Sequence, residues 1–364
     1  MIKYLGSKRV FVPLIVEVVR RLCPAGTVLD PFSGTARVGH ALKAAGYRVV
    51  ASDLNAYAAT LATCYVAADR EGHAEEASAQ LAVLSRLPGR PGWFTRTYCE
   101  ESRFFQPKNG ARIEAIREAI EAMAPDPERR AVLLTALMEA ADRVDSTTGV
   151  QMAYLKRWAP RSYNDLALRL PDLLPRARGG KGEAYRLDAR EAVRRFSADV
   201  CYLDPPYNQH KYLGNYHIWE TLVRWDRPEV YGVARKRVAC RTRKSPFNSR
   251  REAAGAFAAL VDAIEAPHLV VSFSDEGFLE RSWLEGRLAR RGEVVVLERE
   301  HARYVGARIG IYNQAGRKVG RVGRVRNTEY LFVVSEDRSA LEAVRALARP
   351  PERETGETPA RLPA

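Results

Sequence analysis

The chain has 364 residues, a hydrophobic fraction of 46% and a formal net charge of +14 at pH 7. That length holds one large α/β domain of roughly 200 to 250 residues with a smaller one inserted or appended, and the composition excludes a chain too polar to build a core. The positive charge points to an anionic partner, nucleic acid first, although a surplus of Arg over Lys also suits a GC-rich genome, so charge alone names no partner.

In chain order, MIKYLGSKRVFVPLIVEVVRR imitates a signal peptide, but Pro13, Glu17 and the Arg20-Arg21 pair break the apolar run and no small-residue cleavage site follows. No stretch reaches the 18 or so apolar residues of a membrane span, and a cytoplasmic protein is expected. Val12, Ile15, Val16, Val19 and Leu22 recur at helical spacing, and Thr27 to Asp30 then reads as a short buried strand. After a turn from Pro31 to Thr35, residues 36–45 read as a helix closed by Gly46, and Arg48 to Asp53 alternates like a second strand. This βαβ unit predicts a parallel sheet. Residues 66–180 change character, with helical, charged stretches at 74–86, 111–123 and 128–143, which predicts a helical subdomain inserted into the sheet. Strand patterns resume at 184–187, 200–203, 268–273, 293–297 and 329–334. The expected division is therefore 1–65 and 181–348 for the sheet domain, 66–180 for the insertion, and 349–364 for a solvated tail with almost nothing to bury.

Two strand ends carry the chemistry. The first is Asp30-Pro31-Phe32-Ser33-Gly34-Thr35, with Asp53 closing the next strand. A glycine at such a turn lets a ligand approach the backbone, and an acid at the second strand end can accept both hydroxyls of a ribose. The pattern lacks G-x-G-x-x-G and any Gly-Lys-Ser/Thr, so a nucleoside without phosphates fits better than a dinucleotide or a triphosphate. An ordinary βα turn with a capping acid would look the same. The second is Asp204-Pro205-Pro206-Tyr207, directly after the apolar run Val200 to Leu203. Two prolines fix the turn and remove amide donors, leaving its carbonyls free to accept. In a doubly wound sheet this strand lies beside the first, at the switch point where ligands bind. Five cysteines, Cys23, Cys64, Cys99, Cys201 and Cys240, are scattered with no C-x-x-C pair, so neither a disulfide framework nor a metal site is expected. None follows a proline, which removes the nucleophile that methylation of cytosine at C5 requires.

These residues resemble the D12 class of N6-adenine-specific DNA methyltransferases, the class of the enterobacterial Dam enzyme, and the likeness extends over nearly the whole chain. MIKYLGSKR resembles the family's K-W/Y-x-G-x-K element, Asp30 to Gly34 its D/E-P-F-x-G turn, and Asp204 to Tyr207 its D-P-P-Y element. The resemblance implies a Rossmann-like methyltransferase sheet with an inserted target-recognition subdomain. It implies S-adenosyl-L-methionine as cofactor, S-adenosyl-L-homocysteine as product, and double-stranded DNA as partner. It also implies that Tyr4, Lys8, Asp30, Phe32, Gly34, Asp53 and Asp188 contact the cofactor, Asp53 at the ribose and Asp188 at the adenine. The stretches from Arg103 to Gly110 and Asp145 to Lys156 look like members from restriction systems rather than Dam, which makes a cognate endonuclease an expected partner and forbids transfer of Dam's target sequence.

Adenine N6 is a poor nucleophile because its lone pair is delocalised into the ring. Asp204 and the Pro205 carbonyl are expected to accept its two hydrogens, Pro206 to stiffen the turn and Tyr207 to stack on a base flipped out of the duplex. Arg235, Lys236, Arg237, Arg241, Arg243 and Lys244 lie in the acid-free stretch from Arg235 to Arg251 and are expected to face DNA; a second basic run, Arg317, Lys318, Arg321, Arg324 and Arg326, faces either DNA or solvent. Cytosine N4 poses the same chemical problem and remains an alternative, with Asp204 in place of Ser favouring adenine. A non-catalytic DNA-binding regulator that kept the fold is the alternative of another class.

Overall fold

In the computed structural model, which describes residues 1–6, 8–123, 126–302 and 326–348, the sheet assembles from strands whose successive side chains enter two different cores. The strands are β1 (Thr27–Asp30), β2 (Arg48–Ser52), β3 (Glu183–Tyr185), β4 (Val200–Leu203), the two-residue β5 (Val230–Tyr231) and β6 (Lys236–Arg237), β7 (His268–Ser274), β8 (Glu293–Ala302) and β9 (Arg326–Ser335). Seven of them form one sheet in the order β3-β2-β1-β4-β7-β9-β8, while β5 and β6 pair as a separate hairpin. The first five strands in that order are parallel, whereas β9 runs antiparallel to both β7 and β8.

Val28, Val49, Val200, Tyr202, Val270 and Val333 point into one hydrophobic cluster. Their neighbours Leu29, Val50, Cys201, Leu203, Leu269 and Val334 point into the other. A strand with both faces buried has no polar side to alternate with, which is why Val200 to Leu203 reads as an unbroken apolar run. The sheet is thus covered on both faces and wound in both directions, the expected α/β architecture.

Helices α1 (Val12–Leu22), α2 (Arg37–Ala44) and α3 (Ala56–Ala62) follow the predicted βαβ unit. The insertion contributes α4 (Arg70–Ser85), α5 (Pro107–Ala122) and α6 (Pro127–Arg143), each within a few residues of the predicted stretch. Their buried residues, among them Leu81, Ile113, Leu133 and Leu137, belong to the same cluster as Val28 and Val200. The inserted helices therefore share one core with that face of the sheet. Lys43 on α2 ties the junction: it is buried, pairs with Asp69 at 2.9 Å and donates to the Ala68 carbonyl at 2.8 Å.

The expected tail, 349–364, and the side chains of the second basic run from Arg317 to Arg326 lie outside the described residues. No helix among those described is long and apolar enough to cross a membrane.

Candidate active site

The register of the parallel strands brings the two chemical turns together. β1 and β4 are direct neighbours, Leu29 opposite Cys201, so Asp30 and Asp204 leave the same edge of the sheet side by side. Between them opens a cleft with about 1160 Å³ of empty space, bounded by Tyr4, Lys8, Asp30 to Thr35, Asp53 to Asn55, Asp188, Asp204, Pro206 and a wall from residues 211–213 and 240–248.

On the β1 side, Asp30 is 1% exposed and neither carboxylate oxygen has a hydrogen-bond partner of good geometry among the described residues. Burial is the main reason its pKa stands well above the usual carboxylate range, with Asp204 adding repulsion and the Phe32 amide giving slight relief. Gly34 holds φ at +53°, a left-handed conformation that costs other residues energy. Its amide donates to Asp53 Oδ2 at 3.1 Å, and a Cβ at Gly34 would stand 3.4 Å from the Tyr4 ring. Asp53 also accepts from the Asn55 amide at 2.8 Å. Burial nevertheless raises its pKa to about 6, the amide hydrogen bonds offsetting part of the effect and Glu220 adding to it. Phe32 packs edge-on to Phe247 with ring centroids 5.4 Å apart. Tyr4 is sandwiched between Tyr212 at 5.2 Å and Tyr216 at 4.6 Å, which fixes the N-terminal segment over the turn. Asp188 lines the cleft but also caps the following helix, accepting from the Arg190 amide at 2.9 Å and pairing with the Arg190 guanidinium.

On the β4 side, Asp204 Oδ1 lies 3.2 Å from Lys8 Nζ, and the same ammonium is 3.0 Å from Glu329 Oε2. Burial raises the Asp204 pKa to about 6, Lys8 pulling it down and Glu329 pushing it up. Lys8 is itself 4% exposed, and its two carboxylate neighbours outweigh burial, so its pKa is raised. The resemblance implies that Lys8 contacts the cofactor; Lys8 lines the cleft, with its ammonium facing Asp204 and Glu329. Glu329, just before the apolar part of β9, was visible in the sequence as an acid, but its partner became apparent only once β9 was placed next to β7.

One expectation, Arg237 as a DNA contact, is corrected. Pro206 lines the cleft, but the Tyr207 ring does not: it packs against Phe273 at 5.6 Å with the Lys8 ammonium 5.9 Å from its centroid. Pro205 is buried, so only its carbonyl is at issue. The basic stretch does not form one face. Arg237 is buried, with Nη atoms 2.7 and 2.6 Å from Asp226 and 3.1 Å from Thr221, and so has nothing to offer a phosphate. Arg235 pairs with Glu101 at 3.4 Å, Lys236 lies against Met152, and Arg241 stacks on Tyr231 at 3.6 Å. Arg243, held by Asn55 at 2.5 Å, and Lys244 stand in the cleft wall. Their partners come from distant segments, which inspection of the stretch alone misses.

Residues 4–284 match the sequence model of the D12 class of N6 adenine-specific DNA methyltransferases. The chain is similar to the type II methyltransferase M.NlaIII of Neisseria lactamica, 29% identical over 286 residues that cover 76% of this chain and 83% of that protein. It is also similar to the type II methyltransferase M.FokI of Planomicrobium okeanokoites, 33% identical over 197 residues, and to the modification methylase StsI of Streptococcus sanguinis, 27% identical over 293 residues. The matches cover 53% and 76% of this chain, but only 30% and 44% of those two proteins.

Proposed function

The chain belongs to the D12 class of N6 adenine-specific DNA methyltransferases, and from that premise we propose that the cleft between the β1 and β4 turns binds S-adenosyl-L-methionine on one side and a flipped-out adenine on the other. The single observation that carries this is the meeting of a buried acid with no counter-charge among the described residues, Asp30, and a neighbouring Asp-Pro-Pro turn across one open cleft. Acids at 30 and 53 repel phosphates, so the nucleoside taken there is one without them. The Asp30 carboxylate suits a cationic group on the ligand, the Asp53 carboxylate suits ribose hydroxyls, and Gly34, beneath the Tyr4 ring, brings its backbone to the cleft wall.

When bound, S-adenosyl-L-methionine supplies an electrophilic methyl group on a sulfonium. The protein's own task is to make a poor nucleophile attack. Asp204 and the Pro205 carbonyl accept the two hydrogens of adenine N6, which lets the nitrogen turn its lone pair out of the ring and toward the methyl. Nitrogen gains a bond to the methyl carbon as the carbon–sulfur bond breaks and its electron pair stays on sulfur, leaving S-adenosyl-L-homocysteine, and nitrogen gives up one proton, for which the nearby Asp204 carboxylate is the acceptor. Alignment of this kind lowers a barrier by about 7 to 11 kcal/mol. Extracting the base from the duplex costs a few kcal/mol, and Tyr207 stacks on it once its ring turns from Phe273 toward the cleft. Residues 66–180 read the target sequence, with Arg243 and Lys244 at the cleft and Arg235, Lys236 and Arg241 nearer its rim holding the phosphates. The enzyme acts in the cytoplasm beside a cognate restriction endonuclease, a reading supported by the restriction-system names of the similar proteins.

The test is transfer of labelled methyl to unmethylated DNA followed by nucleoside analysis. Wild type is expected to yield N6-methyladenine and Asp204→Ala to lose about 10²- to 10⁴-fold in rate while still binding donor and DNA. N4-methylcytosine as product, or DNA binding without donor binding by wild type, would overturn the reading.

A further inference from the structure

The turn after β4 is poor in donors of its own. Pro205 and Pro206 have no amide hydrogens, so the backbone leaving Asp204 is fixed by donors from distant segments. The Phe278 amide, in the loop after β7, donates to the Tyr207 carbonyl at 2.8 Å. The Asn248 side-chain amide donates to the Asn208 carbonyl at 2.8 Å and to the His210 carbonyl at 3.2 Å. Asn208 Oδ1 in turn accepts from the His210 amide at 3.0 Å, which folds residues 208–210 back on themselves. Two carbonyls facing one nitrogen require both of its hydrogens, so the group at 248 must be a donor.

Asn248 belongs to the segment that walls the cleft, and it sits in a single tight turn, Pro246–Asn248, whose last amide bonds to the Ser245 carbonyl at 3.0 Å. With about three residues to such a turn, neighbouring side chains point about 120° apart. Phe247, 5% exposed, therefore reaches the Phe32 ring in the turn after β1, whereas Asn248 reaches the turn after β4. Upstream, Arg243 donates to the Asn55 side chain just past β2. One short segment is thus anchored on the ends of β1, β2 and β4.

We infer that Asn248 is a positioning residue for the catalytic turn, and that Phe247 and Asn248 together set the distance between the turn that takes the methyl donor and the turn that takes the amine. This rests on the reading of Asp204 to Tyr207 as the turn that activates the target amine. In-line transfer is sensitive to that distance, a misplacement of about 1 Å costing about 100-fold in rate. Two prolines stiffen the path between the Asn208 carbonyl and Asp204, so a shift at the exit is passed back to the Pro205 carbonyl rather than absorbed. The hydrogen bonds from Phe278 and Asn248 go to main-chain carbonyls, which leaves the Tyr207 ring able to turn toward the base while its backbone stays in place.

The experiment is single-turnover methyl transfer to unmethylated duplex DNA, with the rate at saturation and the affinities for S-adenosyl-L-methionine and DNA read separately. Asn248→Ala removes both donors and is expected to lower the rate about 10- to 100-fold with both affinities nearly unchanged. Asn248→Asp keeps the shape but, ionised at neutral pH, sets oxygens against the two carbonyls, and is expected to lose at least as much. Asn248→Gln retains the amide donors on a longer stem and is expected to stay faster than either. Phe247→Leu loosens the other anchor, and there the split is expected to reverse: donor affinity falls about 2- to 10-fold while the rate holds. Asn248→Asp at the wild-type rate, or Asn248→Ala that weakens donor binding and keeps its rate, overturns the inference, because either makes Asn248 a filler of the cleft wall. Phe247→Leu that loses rate and keeps donor affinity overturns the division between the two anchors. Should Asn248→Ala fail to fold, Asn248→Gln no faster than Asn248→Asp overturns the inference equally. A wild type that transfers no methyl to adenine refutes the reading of the turn instead, so the two failures are distinguishable.

Discussion

The turns after β1 and β4 start from nearly the same sequence, an aspartate followed by proline at the end of a buried parallel strand, and diverge in everything that follows. After Asp30 comes a glycine turn whose amide points at Asp53, and among the described residues Asp30 itself has no counter-charge. After Asp204 come two prolines, which offer acceptors and no amide donors, and Asp204 shares a buried lysine with Glu329. The same strand-end motif thus stands in two electrostatic settings. Asp30 has no counter-charge among the described residues, whereas Asp204 faces a buried lysine that it shares with Glu329; the proposed function assigns the first to a positive ligand and the second to the hydrogens of the target amine.

Exchanging each acid for its amide tests this most severely. Asp204→Asn is expected to lower kcat about 10²- to 10⁴-fold with donor affinity unchanged. Asp30→Asn is expected to do the reverse, weakening the donor about 10- to 100-fold, the loss of one charge-assisted hydrogen bond, while DNA affinity holds. Titration calorimetry and single-turnover rates read the two effects, and equal losses of donor affinity would erase the distinction between the turns.

A second contrast lies in stability. Asp53 has a pKa raised to about 6 by burial, so the folded protein holds a proton there that the unfolded chain has released. Its contribution to stability is fully present below pH 4, the unfolded value, and is lost as pH rises through about 6. Replacing Asp53 by Asn is expected to stabilise the ligand-free protein by about 2 kcal/mol above pH 6 and by nothing below pH 4, measured as the difference between urea titrations of variant and wild type. The smallest effect is expected at the glycine: Gly34→Ala at φ +53° costs about 1 kcal/mol, seen as a modest loss of donor affinity with kcat retained.

Much of the sheet was legible because its strands are buried on both faces and its helices carry long apolar stripes. Val200 to Leu203 and the stretch following Gly46 declared themselves, and α4, α5 and α6 fell within a few residues of their predicted places. The hairpin of β5 and β6 was missed, since two residues per strand carry no period. Arg237 was misread for a related reason: Asp226, which lies outside the stretch in sequence, reaches it in space.

By itself the sequence determined the two chemical turns, the acids at 30, 53, 188 and 204, and the class of reaction, because a tight turn and the residues within it are fixed by local backbone preference and need no distant partner. The tertiary structure alone decided the company those acids keep. Lys8 lies 196 positions from Asp204 and Glu329 a further 125 beyond it, and only the sheet order, with β4 between β1 and β7 and β9 next in line, brings one buried cation between Asp204 and the buried Glu329, where low polarity makes their charges act on each other strongly.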